Sequence, residues 1–172
     1  ETLEHAQGRN ARILAEVVGF ATTEDAYHLV APEPNGEGAA RAICQSLADA
    51  AMSPEEIDYI VTHGTGTPLN DVSETRAIKR AFGDHAYRLL ASSNKSMLGH
   101  MLGAAGAIST VVAVMAMQEG IIPPTINLEK ADPECDLDYV PLQPRAATIN
   151  AAMVNAFGFG GQNAALILRR YA

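Results

Sequence analysis

The sequence predicts an α/β fold built on a mixed β-sheet. Segments rich in β-branched residues alternate along the chain with segments whose apolar residues recur at helical spacing, and the last two apolar segments flank a glycine-rich turn, as in a hairpin. A helix at about 104–118 is apolar on nearly all sides, which is typical of a helix in the middle of a molecule. No low-complexity linker divides the chain, so residues 1–172 are expected to form one domain.

The strands are predicted from their β-branched and apolar content. They are 12–20, 57–61, 89–93, 138–140, 152–155 and 164–168. The first strand is expected to end at a Thr-Thr-Glu-Asp loop, and an extended segment is expected from Pro123 to Asn127. Residues 1–6 resemble the end of a helix without an N-terminal cap or a starting Met, which indicates a fragment.

Three helices are predicted from apolar residues at helical spacing. They are 38–51, 70–82 and 104–118. Ser53 and the Pro-Glu-Glu that follows it can cap a short turn after the first helix. Gly83 is expected to end the second helix.

Composition argues against several classes of protein. The net charge of −8 and the absence of Trp disfavour a nucleic-acid surface. No stretch approaches the roughly 20 apolar residues of a membrane span, and no signal peptide opens the chain. Two cysteines are too few for a disulfide scaffold, which favours a reducing, cytoplasmic location. No metal site is predicted.

Three polar or glycine-rich segments are candidates for a functional site, and each lies next to a predicted strand, where α/β sheets bind their ligands. The first is His-Gly-Thr-Gly-Thr-Pro at 63–68. It places an imidazole beside exposed amides and two hydroxyls, which suits an acyl thioester and its amide-bearing arm. A glycine-rich turn with an incidental histidine is the alternative.

The second segment, 93–100, precedes the apolar helix and contains Lys95 and His100. The positive end of a helix dipole and a charged Lys95 would keep His100 neutral and able to stabilise an oxyanion or enolate. A solvated lysine is the alternative. The small residues of 103–106 indicate close packing and favour the buried interpretation of Lys95.

The third segment, 155–163, alternates glycines with Phe157 and Phe159. Such a backbone can approach a ligand closely and can rearrange. Taken alone, it is equally typical of an ordinary hairpin turn.

Together the three segments resemble the β-ketoacyl synthase family of the thiolase superfamily over nearly the whole chain. The Pro-Pro-Thr-Ile-Asn-Leu run at 123–128 and the acidic run at 132–141 are similar to the bacterial synthase II of fatty acid elongation. The resemblance implies a thiolase-like fold, with this chain as the C-terminal half of a five-layer αβαβα sandwich that contains a mixed five-stranded sheet.

The resemblance also implies catalytic roles. Family members use a Cys-His-His set, in which cysteine takes the acyl chain and two histidines bind the malonyl thioester for decarboxylation. His63 matches the first histidine and His100 the second, while Lys95 and Glu74 match the residues that support them. No bound cofactor is implied, because the substrates arrive on the phosphopantetheine of an acyl carrier protein.

Further matches concern the substrate arm and the entrance of the site. Thr65 and Thr67 match hydroxyls that contact pantetheine. Phe159 matches the gating aromatic residue, and its neighbours complete the oxyanion and gating segment: Phe157, Gly158 and Gly160. Asp25 and His28 match the second mobile loop at the entrance.

The nucleophilic cysteine of the family is missing. Cys44 is expected to pack inside a helix as a small hydrophobe, and the acidic neighbours of Cys135 should raise its pKa. The chain is therefore expected to be inactive without the N-terminal half of the synthase, and the full enzyme is expected to be a homodimer. Without that half, helix 104–118 should be exposed and should promote association.

Two other interpretations remain open. One is a subunit of a two-chain or polyketide synthase whose partner supplies the cysteine. The other is a noncatalytic module that holds an acyl-pantetheine arm or a carrier protein.

Overall fold

The computed structural model describes residues 1–171 as an α/β structure. The helices are α1 (Leu3–Gly8), α2 (Glu37–Asp49), α3 (Pro68–Phe82), α4 (Lys95–Leu98) and α5 (Ala105–Glu119). The strands are β1 (Ala15–Glu24), β2 (Tyr59–Val61), β3 (Leu90–Ser92), β4 (Ile121–Ile122), β5 (Arg145–Ala146), β6 (Ala151–Gly158) and β7 (Gln162–Arg170). Single 3-10 turns span Pro54–Glu56, Gly83–Tyr87 and Leu102–Ala104.

The main sheet has five strands in the order β1-β7-β6-β2-β3. The first three are antiparallel, whereas β6, β2 and β3 run parallel, so the predicted mixed five-stranded sheet is confirmed. Because β2 lies between two parallel neighbours, the segments that follow β2 and β3 leave the sheet at the same edge. This arrangement brings the segments 63–68 and 93–100 together.

Helices cover both faces of the sheet, but to different degrees. On one face α2 and α3 bury a large cluster that includes Ile43, Ile60 and Met153. On the other face α5 packs on Tyr59, Val61 and their neighbours in a smaller cluster. One face of the sheet is therefore covered by two helices of this chain, and the other face by a single helix.

Several predicted elements are present, although their bounds differ by a few residues. The hairpin of β6 and β7, the three long helices and the stop at Gly83 are all present. Ser53 forms a capping box with Glu56 at the short turn. The strand predicted at 12–20 starts later and runs through the predicted Thr-Thr-Glu loop, because Thr22, Thr23 and Glu24 pair with β7.

Two predictions about local structure are wrong. Residues 138–140 form only an isolated bridge between Asp138 and Leu90. Val140 has a φ of 44°, which turns the chain out of the extended conformation. At the N-terminus, α1 does have a cap, since the Thr2 hydroxyl accepts the His5 amide at 3.3 Å.

The two-residue strands β4 and β5 pair with each other and were not predicted. A two-residue strand is too short to show the alternation of apolar and polar residues that identifies longer strands.

The apolar helix α5 is only partly buried in this chain. Only four residues of α5 are buried: Ser109, Ala113, Ala116 and Met117. The helical run Leu102–Glu119 has 18 residues, a mean hydropathy of 1.4 and 22% of its residues buried, so its length and composition would allow it to cross a membrane. The expectation that no stretch approaches a membrane span therefore needs correcting, although core helices of soluble proteins have the same properties. The prediction that the helix is exposed without further chain holds only in part, because four of its residues are exposed and seven are half-buried.

Candidate active site

His63 lies two residues beyond the end of β2, at the centre of the edge where β2 and β3 end. The residue is only 8% exposed. The chain turns directly after it at Gly64, which has a φ of 41°. A Cβ at that position would lie 2.6 Å from the Cβ of Ser93, so the turn requires glycine for both its backbone conformation and its close packing.

Glu74 holds the main chain at this turn from α3. Its two carboxylate oxygens accept the amides of His63 and Gly64, each at 2.8 Å. Asn155 donates to the same carboxylate at 3.1 Å, and Asn70 donates at 3.5 Å. Burial raises the pKa of Glu74, and the hydrogen bonds from Gly64, His63 and Asn155 oppose that rise. Because all four partners are N–H donors, they stabilise the ionised form of the carboxylate.

Lys95 reaches the same turn from α4. Its Nζ donates to the His63 carbonyl oxygen at 2.5 Å. The residue is half-buried, so it is neither fully buried, as one interpretation predicted, nor fully solvated, as the other did. Burial lowers the pKa of Lys95, while the negative charges of Glu74 and Asp71 partly restore it. Lys95 therefore both donates a hydrogen bond to the main chain of His63 and places a positive charge beside it.

The His63 imidazole is held in its neutral form. Its pKa falls to about 3, first because the ring is buried and then because Lys95 and His100 add positive potential. The ring packs against that of Phe157, with 5.6 Å between ring centroids. A neutral imidazole carries one N–H donor and one acceptor nitrogen.

His100 faces His63 across the site. Their ring centroids are 5.5 Å apart and the rings are nearly perpendicular, at 82°. His100 is exposed, and its Nδ1 accepts the Leu102 amide at 3.0 Å, so the ring proton of the neutral form lies on Nε2.

The predicted helix-dipole contribution to His100 stays a prediction. The 3-10 turn Leu102–Ala104 follows His100 and leads directly into α5. The Leu102 amide, at the start of this turn, is the group that orients the His100 ring.

The glycine-rich turn lies between β6 and β7, with its two aromatic residues in different environments. Phe157 is half-buried beside His63, whereas Phe159 is 75% exposed at the tip of the turn. The Gly160 amide donates to the Leu29 carbonyl at 2.8 Å, and Gly158 ends β6 just before the turn.

The loop that contains Asp25 and His28 lies against this turn. The Asp25 amide donates to the Gly161 carbonyl at 2.8 Å, and Asn163 donates to the Asp25 carboxylate at 2.7 Å. His28 accepts two amides of its own loop through Nδ1, from Val30 and Ala31. The fold therefore brings the predicted entrance loop into contact with the predicted gating segment.

Thr65 and Thr67 lie in the turn after His63, and their hydroxyls are 2.9 Å apart. Both line a cavity of about 890 Å³. Lys95, His100 and residues 125–132 line it too. Several residues of the 125–141 segment line this cavity together with the two threonines and His100. The residues of the glycine-rich turn do not line it.

Neither cysteine lies in an environment that activates a thiol. Cys44 is exposed on α2, so the expectation that it packs as a buried hydrophobe is wrong, and partial desolvation raises its pKa. The pKa of Cys135 is also raised, first by burial and then by acidic neighbours such as Asp132. The predicted direction for Cys135 is therefore right, but burial comes before charge as its cause.

Sequence reasoning missed several residues that support the site. Asn155 and Asn70 bind the carboxylate of Glu74, and Ser93 donates to the Gly64 carbonyl at 2.6 Å. Asn155 and Ser93 stand inside segments that were already identified, but their partners are distant in sequence. Among residues 1–171, no group of three or more His, Cys, Asp or Glu side chains could hold a metal ion.

Comparison with protein families gives a match over residues 14–129 to the model described as the C-terminal domain of β-ketoacyl synthase. Curated relatives include 3-oxoacyl-acyl-carrier-protein synthase 2 of Synechocystis sp., 56% identical over 99% of this chain and 41% of the relative. The protein of the same name from Coxiella burnetii is 55% identical, over 99% of this chain and 41% of that relative. The chain thus spans about two fifths of the length of these relatives.

Solved structures agree with these relatives. A type II polyketide acyl-carrier protein in complex with its ketosynthase, bound to the hexaketide, matches with a TM-score of 0.98 and 39% identity, over 100% of this chain and 42% of that one. A β-ketoacyl synthase from Burkholderia phymatum matches with a TM-score of 0.94 and 40% identity, over 100% of this chain and 41% of that one. The predicted thiolase-like fold class is confirmed.

Proposed function

The chain belongs to the β-ketoacyl synthase family, as its C-terminal domain, and from this premise we propose that it supplies both histidines of a decarboxylative Claisen condensation in fatty acid elongation. The reaction would join a malonyl unit, carried on an acyl carrier protein, to an acyl group held on a cysteine. His63 and His100 would act on the malonyl thioester, with Lys95 and Glu74 supporting His63.

The observation that supports this proposal best is the pair of imidazoles, whose centroids are 5.5 Å apart. Burial holds the pKa of His63 at about 3, so at neutral pH its ring is uncharged and can donate one N–H. His100 keeps its Nε2 proton free, because its Nδ1 is occupied by the Leu102 amide. If both rings donate an N–H to one thioester oxygen, they would stabilise the enolate that forms there.

The chemical step balances without a cofactor. The bond between the malonyl α-carbon and its carboxylate breaks, CO₂ leaves, and the electron pair forms an enolate whose oxygen is bound by the two histidines. The α-carbon then attacks the acyl thioester on the cysteine, a new carbon–carbon bond forms, and the cysteine departs as thiolate.

The cysteine must come from outside residues 1–172. Cys44 is exposed on α2 and its pKa is raised, and burial raises the pKa of Cys135, so neither thiol is a good nucleophile. The relatives are more than twice as long as this chain. We therefore assign the nucleophile to the N-terminal half of the synthase and expect this chain to be inactive in condensation by itself.

The remaining site residues receive roles consistent with their positions. Thr65 and Thr67 would bind the pantetheine arm, since both line the cavity that also reaches His100. Phe159 would act as the gate, with Phe157, Gly158 and Gly160 as its supporting segment. Asp25 and His28 would form the entrance loop that contacts this segment.

The partners proposed for the full enzyme are an acyl carrier protein, the N-terminal half and a second copy in a homodimer. A solved relative is a ketosynthase in complex with its acyl-carrier protein, which supports the first of these. The proposed location is the cytoplasm, in keeping with carrier-bound substrates.

A polyketide ketosynthase subunit is the second candidate. The observation in its favour is the TM-score of 0.98 to a ketosynthase from a type II polyketide complex. The identity to that protein is 39%, lower than the 55–56% shared with two synthases named 3-oxoacyl-acyl-carrier-protein synthase 2. The sequence relatives therefore favour fatty acid elongation.

The test is decarboxylation of a malonyl thioester by this chain alone and after mixing with the separately expressed N-terminal half. Activity is expected only in the mixture, and His63→Ala or His100→Ala should reduce it by about 10²–10⁴-fold. His5→Ala changes an exposed histidine on α1 and serves as the matched control.

Three results would contradict the proposal. A mixture that keeps its activity without His63 and His100 would remove their catalytic roles. A well-folded mixture that binds malonyl-pantetheine but never decarboxylates it would favour a noncatalytic binding module. Stoichiometric acylation of this chain alone would show that it does hold a nucleophile.

A further inference from the structure

All four main-chain polar groups of the His63–Gly64 dipeptide are bound by side chains. Glu74 accepts both amides. Lys95 donates to the first carbonyl at 2.5 Å, and Ser93 donates to the second at 2.6 Å. Polar main-chain groups at a loop usually bond to other main chain or to water, so a dipeptide held entirely by side chains has its position fixed from two directions.

Ser93 is itself fixed by a third segment. Its amide donates to the Thr125 hydroxyl at 3.1 Å. Its carbonyl accepts the Ser96 hydroxyl at 2.8 Å, and the same hydroxyl accepts the Ile126 amide at 3.0 Å. Ser93 therefore connects the turn after β2, the turn after β3 and the segment that follows Pro124.

Packing between Ser93 and Gly64 is as close as their hydrogen bond. Ser93 is 7% exposed, and a side chain on Gly64 would begin 2.6 Å from the Cβ of Ser93 and 2.7 Å from its Oγ. The two turns therefore meet with no intervening side chain, and little space is left for water to replace the hydroxyl.

We propose that Ser93 is a positioning residue that sets the separation of the two imidazoles. His63 precedes the carbonyl that Ser93 binds, and His100 follows Ser93 along the same short segment through α4. The Ser93 hydroxyl is thus a direct link between the two segments that contain the histidines. This inference rests on the proposed function, because a separation matters only if both rings bind one substrate oxygen.

The physical basis is the sensitivity of catalysis to geometry. A displacement of about 1 Å in a catalytic group can cost on the order of 100-fold in rate. Loss of the Ser93 hydroxyl leaves the Gly64 carbonyl without its donor and lets the two turns move relative to each other. Lys95 would still hold the His63 carbonyl, so a partial loss of rate is expected.

The experiment uses the full-length synthase, with this chain joined to its natural N-terminal half. Ser93→Ala should lower kcat for malonyl decarboxylation on the order of tenfold while KM for the malonyl carrier stays within about twofold. Thr125→Val removes the acceptor that holds the Ser93 amide and should lower kcat in the same way. Thr125→Ser keeps the hydroxyl and should restore most of the rate.

Ser46→Ala is the matched control. Ser46 is also buried and donates to a main-chain carbonyl at 2.8 Å, that of Ile43, but it lies within α2. It should leave kcat unchanged, although the melting temperature should fall about as far as it does in Ser93→Ala.

The outcomes separate the two proposals. If His63→Ala and His100→Ala abolish decarboxylation but Ser93→Ala behaves like Ser46→Ala, the positioning role is overturned and the proposed function stands. If the two histidine variants keep their activity, the proposed function fails first. A fall in melting temperature with unchanged kcat would show that Ser93 is structural only, and a Thr125→Ser variant as slow as Thr125→Val would overturn the role of the hydroxyl.

Discussion

His63 and His100 lie 5.5 Å apart but are held in very different ways. His63 is 8% exposed, and side chains from α3, α4 and the turn after β3 bind the main chain around it. His100 is exposed, and its ring accepts one hydrogen bond from the amide of Leu102, a residue that is itself 77% exposed.

The difference indicates which parts of the site this chain completes. The groups that hold the main chain at His63 lie on α3, on α4 and in the turn after β3, and all of them belong to this chain. The ring of His100 is held only by the exposed turn at Leu102, so its position is less firmly fixed by this chain than that of His63.

The largest expected effect comes from breaking the support of His63. Glu74→Ala leaves the amides of His63 and Gly64 without acceptors in a buried site and removes the negative charge near Lys95. We expect the free energy of unfolding to fall by about 3–5 kcal/mol, measured by urea denaturation. Glu134→Ala removes an exposed ion pair with Arg76 and should cost less than about 1 kcal/mol. Equal losses in the two variants would show that Glu74 does not support the turn.

The second prediction concerns the exposed side of α5. Val111→Glu places a charge on the exposed apolar side of α5. If the N-terminal half covers this side, its affinity for this chain should fall by about 100-fold or more in a titration followed by light scattering. The same change at Val17, an exposed residue of the edge strand β1, is the control. Unchanged affinity in Val111→Glu would place the partner elsewhere.

A third prediction follows from the low pKa of His63. The unfolded chain protonates this histidine near its ordinary pKa of 6.5, whereas the folded chain does so only at about 3. Between these values the unfolded state binds more protons, so this group's contribution to stability is complete above about pH 6.5 and falls as the pH drops toward 3. The slope is at most about 1.4 kcal/mol per pH unit.

His63→Gln should remove this slope, as measured by denaturation at several pH values. His5→Gln, at an exposed residue of α1, should keep it. An unchanged slope in His63→Gln would mean that other groups produce it and that folding does not lower the pKa of His63.

The smallest effect is expected at the turn that orients His100. Leu102 has a φ of 51°, which is unfavourable for leucine and readily adopted by glycine. Leu102→Gly keeps the amide that binds His100 and relieves this strain, so the free energy of unfolding of the chain should rise by about 0.5–1 kcal/mol. Leu98→Gly, within α4, should lower it instead. A loss of stability in Leu102→Gly would show that its side chain packs more tightly than its exposure indicates.

Much of the fold could be predicted from the sequence because its signals are local. The hairpin of β6 and β7 has a run of β-branched and apolar residues on each side of a glycine-rich turn, and α2 shows apolar residues at helical spacing. The wrong elements had weaker local signals. Residues 138–140 look extended in sequence, but Val140 adopts a positive φ that no propensity predicts.

The sequence by itself determined the three segments of the candidate site and their residue types, because glycine, histidine and lysine at short spacing next to strand ends are visible without a fold. Only the tertiary structure decided how those segments are held together. Glu74, Asn155 and Ser93 bind partners between 10 and 81 residues away in sequence, and such hydrogen bonds exist only after β2, β3 and β6 have aligned. Burial was decided in the same way: α5 has the composition of a core helix, but its exposure depends on what packs against it, and within residues 1–171 only four of its 15 residues are buried.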